Sequence, residues 1–224
     1  MNFIEYPDRD FLYLRLADAI AGQLGESLRR DGRATLSVPG GTTPAPVFEI
    51  LSGVDLDWGL VSVVLNDERW VPEHSDRSNT GLLRQHLLKG QAARARLIPL
   101  YEAGHDQPET ALPGLAAGLE PHLPVSVLLL GMGTDMHTAS LFPGADRLDE
   151  ALASDAPPLM AMRAEAAVEP RITLTAPVLR AAIRIHVLIT GAAKREAIER
   201  AASLPAEQAP IRTILDQAEV HWAE

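Results

Sequence analysis

Cysteine is absent from the 224 residues, which excludes disulfides, thiolate ligands and cysteine nucleophiles. Aromatic residues are scarce at 4%, so the core has to be built from Leu, Val, Ile and Ala. No apolar run approaches the ~20 residues of a membrane span, so no membrane contact is expected. The amino terminus, Met1-Asn2-Phe3-Ile4-Glu5, has neither the basic n-region nor the long apolar h-region of a secretory signal, and a cytoplasmic protein is expected. Positive charge is also in deficit. A net charge of −10 argues against nucleic acid as a partner, because phosphate backbones need a cationic face. An anionic small molecule stays compatible where a few Arg and Lys residues converge against the global field.

Several catalytic signatures are missing too. There is no His-Glu-x-x-His, and none of His74, His86, His105, His122, His186 and His221 falls in a metal-ligand spacing, so no metal is expected and these six read as structural or solvated. There is no Gly-x-Ser-x-Gly elbow, which makes Ser140 a poor nucleophile. Gly131-x-Gly133 is not a dinucleotide fingerprint, because its third glycine position holds Met136.

What the chain does have is strands alternating with helices. Asn2 to Tyr6 reads as a short edge strand. Asp8 to Arg30 reads as an amphipathic helix with Phe11, Leu12, Leu14, Leu16, Ala19, Ile20 and Leu24 near helical spacing. Short β-branched apolar runs at Ala34 to Val38, Val61 to Leu65, Val125 to Leu130 and Ile183 to Thr190 read as buried strands. Briefer strands are expected at Leu97 to Leu100 and Leu159 to Met162. Helices are expected to about Leu51 after Pro44, over Thr80 to Leu88, over Glu109 to Leu123 with an interruption at Pro113-Gly114, over Ala176 to Ala182, and over Lys194 to Ala202. No repeat, low-complexity tract or linker divides the chain. The expectation is one α/β domain over residues 1–224: a doubly wound, largely parallel sheet with helices on both faces, Rossmann-like in kind.

In a parallel sheet the segments after Val38, Leu65, Leu130 and Thr190 leave from one carboxyl edge, where open α/β sheets bind ligands. Gly40-Gly41-Thr42-Thr43 supplies backbone N–H groups and hydroxyls at a helix start, which suits a phosphate. Asp67-Glu68-Arg69 supplies acids and a cation, and Gly191-Ala192-Ala193-Lys194 another cation. Charge-assisted bonds from Arg69 and Lys194 are worth roughly 1.5–3 kcal/mol each. In Gly131 to Gly144, two glycines let the backbone turn, Asp135, Thr138 and Ser140 are helix-capping types, and Pro143-Gly144 would end a helix of little more than a turn. His137 on that turn is a base able to work near neutral pH, with Asp135 two residues away to orient it. Taken singly, each of these has an ordinary explanation as a turn, a surface ion pair or a cap. Their shared edge favours the functional reading.

Six segments together resemble the 6-phosphogluconolactonase family, within the larger group that includes glucosamine-6-phosphate deaminase. They are Val38 to Pro44, Asn66-Asp67-Glu68-Arg69-Trp70-Val71, Ser75 to Asn79, Gly131 to Gly144, Pro170-Arg171-Ile172-Thr173 and Thr190 to Lys194. The family pattern has glycine where this chain has Met136. The resemblance implies hydrolysis of 6-phospho-D-glucono-1,5-lactone in the oxidative pentose phosphate pathway, with neither metal nor cofactor. It implies His137 as general base, with phosphate on Gly40, Gly41, Thr42 and Thr43 and cations drawn from Arg69, Arg171, Lys194 and, more weakly, Arg77. Asp67 is the further polar residue expected at this site. The implied partner is a sugar-phosphate lactone, and a monomer or small homo-oligomer is compatible. Two rivals remain. The deaminase chemistry needs an acid where this chain has Phe142, and a sugar-phosphate sensor domain comes with a helix-turn-helix that these residues lack.

Overall fold

The computed structural model describes residues 1–224. The chain opens with β1 (Asn2–Glu5), α1 (Arg9–Asp31), β2 (Ala34–Val38), α2 (Ala45–Ser52), β3 (Val61–Leu65) and β4 (Asp67–Arg69). It continues through α3 (Asn79–His86), β5 (Arg96–Ile98), α4 (Pro108–Leu119), β6 (Val127–Leu130), α5 (Leu148–Leu152) and β7 (Leu159–Met162). It ends with β8 (Arg171–Leu174), α6 (Ala176–Arg180), β9 (Arg184–Thr190), α7 (Ala192–Ala201), α8 (Arg212–Leu215) and β10 (Glu219–Ala223).

Helix α1 shows how local chemistry sets the boundaries. Asp8 at its N-cap accepts a hydrogen bond from the Phe11 N–H at 2.7 Å. Gly32 closes it in the left-handed region at φ 69°, returning its N–H to the Leu28 carbonyl. Its buried stripe is Leu12, Leu16, Ala17, Ile20, Ala21 and Leu24, whereas Phe11 and Leu14, which helical spacing had put on the apolar side, are exposed. Helix α4 passes through Pro113 without the expected interruption.

Seven strands form the main sheet in the order β1-β10-β9-β6-β2-β3-β5. Every neighbouring pair is parallel. All residues of β2, β3 and β6 are buried, so helices and loops cover both faces at the centre, as a parallel sheet requires. This is the doubly wound α/β sheet expected from the sequence. No helix is long and apolar enough to cross a membrane. From β2 the chain steps outward through β3 to β5, then returns to place β6 on the other side of β2 and moves outward again through β9. The strand order therefore reverses between β2 and β6, and loops leaving those two strands diverge to open a crevice. Asn66 clasps this point: its side chain accepts from the Ser37 hydroxyl at 2.6 Å and donates to the Leu129 carbonyl at 2.8 Å.

Two features depart from the expected order. Asp67–Arg69 is not a loop but β4, paired antiparallel with β8, which pairs antiparallel with β7. Only Asn66 separates β3 from β4, so the chain changes sheets within one residue. The sequence after Ala202 shows no strand pattern, yet β10 inserts between β1 and β9 and makes two of the six parallel pairings of the main sheet.

Candidate active site

Above the crevice lies a cleft of about 390 Å³, within the ~300–1,000 Å³ usual for small-molecule sites. Its first wall is the turn after β2. Gly41 has φ 85°, a conformation that side chains rarely adopt. Gly40 is required for a different reason: a Cβ there would lie 2.1 Å from the Asn79 side chain, which donates to the Asp67 carbonyl at 3.0 Å. The N–H groups of Gly40, Gly41, Thr42 and Thr43 make no hydrogen bond within the protein. They form a nest of free donors ahead of α2.

The second wall follows β6. The expected helix of little more than a turn before Pro143-Gly144 does not form. Met136 and Ala139 take φ 68° and 49°, so the segment folds as tight turns that no helix can follow. The turn is held by Gly133 N–H to the His137 carbonyl and Met136 N–H to the Gly133 carbonyl, both 3.0 Å. Met136 occupies the family's glycine position, and its positive φ explains that preference. Its side chain is buried in the main core, which anchors the turn from beneath.

This turn builds a dyad. His137 Nδ1 lies 2.5 Å from Asp135 Oδ1, which also accepts the His137 backbone N–H at 3.3 Å. An ionised Asp135 holds the proton on Nδ1 and leaves Nε2 as the basic nitrogen. The imidazole stacks on Phe142 at 4.2 Å between centroids. Gly133 makes room for both groups, since a Cβ there would lie 2.2 Å from Asp135 Oδ1 and from His137 Nδ1.

The third wall is cationic. In the β4–β8 ladder Arg69 stands directly opposite Arg171. Arg171 donates to buried Asp67 at 3.3 Å, and Asp67 also accepts the Ser140 hydroxyl at 2.5 Å. Arg69 donates to the Arg77 carbonyl at 2.7 Å. Both arginine Nε groups are buried without a partner. Burial lowers the Arg171 pKa from its ordinary value, Asp67 opposes that, and the Arg69 charge adds to it. On the remaining side Lys194 donates to the Met132 carbonyl at 2.6 Å; burial lowers its pKa while the Asp135 charge raises it.

Gly40, Gly41, Thr43, Asp67, Arg69, His137, Arg171 and Lys194 thus line one cleft, with Asp135 behind the imidazole. Thr42 and Arg77 do not line it. Thr42 faces a neighbouring hollow with Tyr13 and Glu49, and Arg77 is ion-paired with Glu169. Asn79, Phe142 and Ala166 also line the cleft and were not among the expected residues. The Ser75 to Asn79 motif pointed at Asn79, but nothing local marks a side chain that props a distant glycine.

The sequence matches the family described as glucosamine-6-phosphate isomerases/6-phosphogluconolactonase over residues 7–222. It is 43% identical to a 6-phosphogluconolactonase of Rhizobium meliloti, covering 100% of this chain and 98% of that protein. It is 40% identical to one of Pseudomonas aeruginosa, covering 92% and 88%. Among solved structures, a 6-phosphogluconolactonase from Shewanella baltica superposes with a TM-score of 0.96 at 33% identity, covering 100% of this chain and 98% of that one. A monomeric glucosamine-6-phosphate deaminase shares the fold at a TM-score of 0.80 and 15% identity. With its strand order, its reversal crevice and its matching length, the chain belongs to the glucosamine-6-phosphate isomerase/6-phosphogluconolactonase family.

Proposed function

We propose that this protein hydrolyses 6-phospho-D-glucono-1,5-lactone to 6-phosphogluconate. One observation carries the reading: a histidine–carboxylate dyad opens onto the same cleft as two arginines set face to face. Like charges directly opposite on a ladder are destabilising unless an anion offsets them. Asp67 offsets Arg171 alone. A phosphate at pH 7 brings about −1.5 to −2 charges, which Arg69 and Arg171 match. The free N–H groups of Gly40 to Thr43 add uncharged donors, and Lys194 supplies a further cation to the same cleft. Thr42 acts here through its backbone only, and Arg77 through the carbonyl that holds Arg69.

With the phosphoryl end held, the lactone carbonyl is positioned over His137. Its Nε2 takes a proton from water, and the oxygen attacks the carbonyl carbon. Asp135 keeps the ring in the working tautomer and stabilises the imidazolium that forms. The proton then passes to the ring oxygen as the C–O bond breaks, giving the open-chain acid. A lactone is a reactive ester, so one base, a water and good positioning suffice.

The relatives' names support lactone hydrolysis over the deaminase reaction, and so does Phe142. It stacks on His137 where the deaminase chemistry needs an acid, and a phenyl ring has no proton to give. The test is hydrolysis of the lactone above its spontaneous rate by the purified protein and by His137→Gln. The expected loss is ~10²–10⁴-fold in kcat, the usual contribution of a general base. An unchanged kcat removes His137 from the mechanism. Ammonia release from glucosamine 6-phosphate would overturn the choice of reaction.

A further inference from the structure

The two buried histidines of the main sheet have no part in the cleft. His186 lies on β9 and His221 on β10, 1% and 2% exposed respectively. Glu219 stands directly opposite His186 in the parallel ladder, and His221 follows two residues later, so all three project from one face. His186 Nδ1 is 2.9 Å from His221 Nε2, and Glu219 Oε2 is 3.5 Å from the first and 4.0 Å from the second.

We propose that His186, His221 and Glu219 form a binding site for one divalent ion of the zinc class. In a tetrahedral site with metal–nitrogen and metal–oxygen distances of about 2.0–2.2 Å, the ligand atoms lie roughly 3.3–3.5 Å apart. The three atoms here need shifts of only a few tenths of an ångström to meet that spacing. Two imidazoles and one carboxylate suit Zn²⁺ or Co²⁺; Mg²⁺ and Ca²⁺ prefer oxygen-only sets.

The outer contacts favour the same use. His186 Nε2 is 2.8 Å from the Gln23 side-chain oxygen, an acceptor, so that nitrogen carries the proton and Nδ1 presents a lone pair. His221 Nδ1 is 2.8 Å from the Tyr6 hydroxyl, which accepts from it when Nε2 is the free nitrogen. Such partners fix ring orientation and tautomer in metal sites. Two lone pairs that meet at this distance require a proton or a cation between them. A bridging proton makes the chain Tyr6–His221–His186–Gln23 complete without Glu219. Glu219 is not part of that chain, and its carboxylate is 45% exposed beside the two rings. It gives an ion both a third ligand and a way in.

The site is separate from the cleft. His186 precedes Thr190 at the carboxyl end of β9 by four residues, roughly 13 Å of strand. A bound ion would tie β10 to β9 and, through Tyr6 and Gln23, to the start of the chain.

The experiment uses the full chain after chelator treatment and dialysis, titrated with Zn²⁺ and, for its visible spectrum, Co²⁺. One ion per chain is expected, with a Tm rise that saturates at one equivalent and a Co²⁺ spectrum of low coordination number. Replacing either histidine risks the fold, so two gentler variants carry the test. Glu219→Gln should weaken binding at least tenfold. Tyr6→Phe should weaken it ~10–100-fold, the usual effect of losing an outer partner. His137→Gln should leave the stoichiometry at one. The proposal is overturned if the chain retains no ion at micromolar free Zn²⁺. It is equally overturned if Glu219→Gln binds as tightly as the parent, or if His137→Gln abolishes the bound ion.

Discussion

Gly133→Ala tests whether the His137–Asp135 dyad does the chemistry. The new Cβ would lie 2.2 Å from both Asp135 Oδ1 and His137 Nδ1, and 2.3 Å from His137 Cε1. Ordinary contact begins near 3.4 Å, so both side chains must withdraw by about 1 Å. A misplacement of that size at a reacting centre costs on the order of 10²-fold in rate. The cost to folding should be small, because the displaced atoms are the ends of rotatable side chains and not backbone. Fold stability should change by less than ~1 kcal/mol by urea titration. Arg69, Arg171 and the Gly40–Thr43 nest lie on other walls, so KM should stay within about threefold. The assay is lactone hydrolysis with the spontaneous rate subtracted, alongside Tm. The expected pattern is a kcat loss near a hundredfold, an unchanged KM and a nearly unchanged Tm. A kcat within twofold of the parent refutes the reasoning, since the dyad then tolerates displacement and its alignment is not what the rate depends on.

Arg69→Ala should raise KM for the phosphorylated lactone roughly 10–100-fold, matching one charge-assisted bond, and leave unphosphorylated gluconolactone unaffected; equal losses on both substrates would show that Arg69 is not a phosphate ligand. Met136→Gly should relieve a left-handed conformation worth ~1–2 kcal/mol but lose a buried side chain worth ~2–5 kcal/mol, for a net destabilisation of about 1–3 kcal/mol; a stabilised variant would mean the strain outweighs the packing. Residues 1–224 are proposed to be one folding unit, so Trp fluorescence and far-ultraviolet circular dichroism should unfold together in urea; two separated transitions would divide the chain.

The parallel strands were legible because burial on both faces leaves short unbroken apolar runs. Val63-Val64-Leu65 and Leu128-Leu129-Leu130 have no polar alternation to confuse with a helix. β4 is not legible in the sequence, for the opposite reason. Asp67-Glu68-Arg69 has no apolar residue, and its place in a sheet is fixed from outside. The Glu68 carboxylate accepts the backbone N–H groups of Asn79 and Thr80 at 2.8 and 2.7 Å, and β8 pairs alongside. β10 was hidden because Glu219-Val220-His221-Trp222 reads as a mixed segment; His221 is accommodated only by meeting His186 and Tyr6, far off in the chain.

The residues that break local rules gather in one place. Met136 and Ala139 hold positive φ without being glycine, Arg69 faces Arg171 across a ladder, and both of those arginines carry a buried Nε with no partner. Each carries a local free-energy cost, which core packing offsets at Met136 alone, and such departures belong at functional sites. All but Met136 line the cleft, and Met136 immediately precedes His137. A fold selected only for stability would oppose Arg171 with an acid. That the chain does not do so follows if the ladder must receive an anion. Replacing Arg69 with Glu should therefore stabilise the fold while it abolishes binding of the phosphorylated lactone. A charge reversal that weakened both would mean the arginine pair serves the architecture instead.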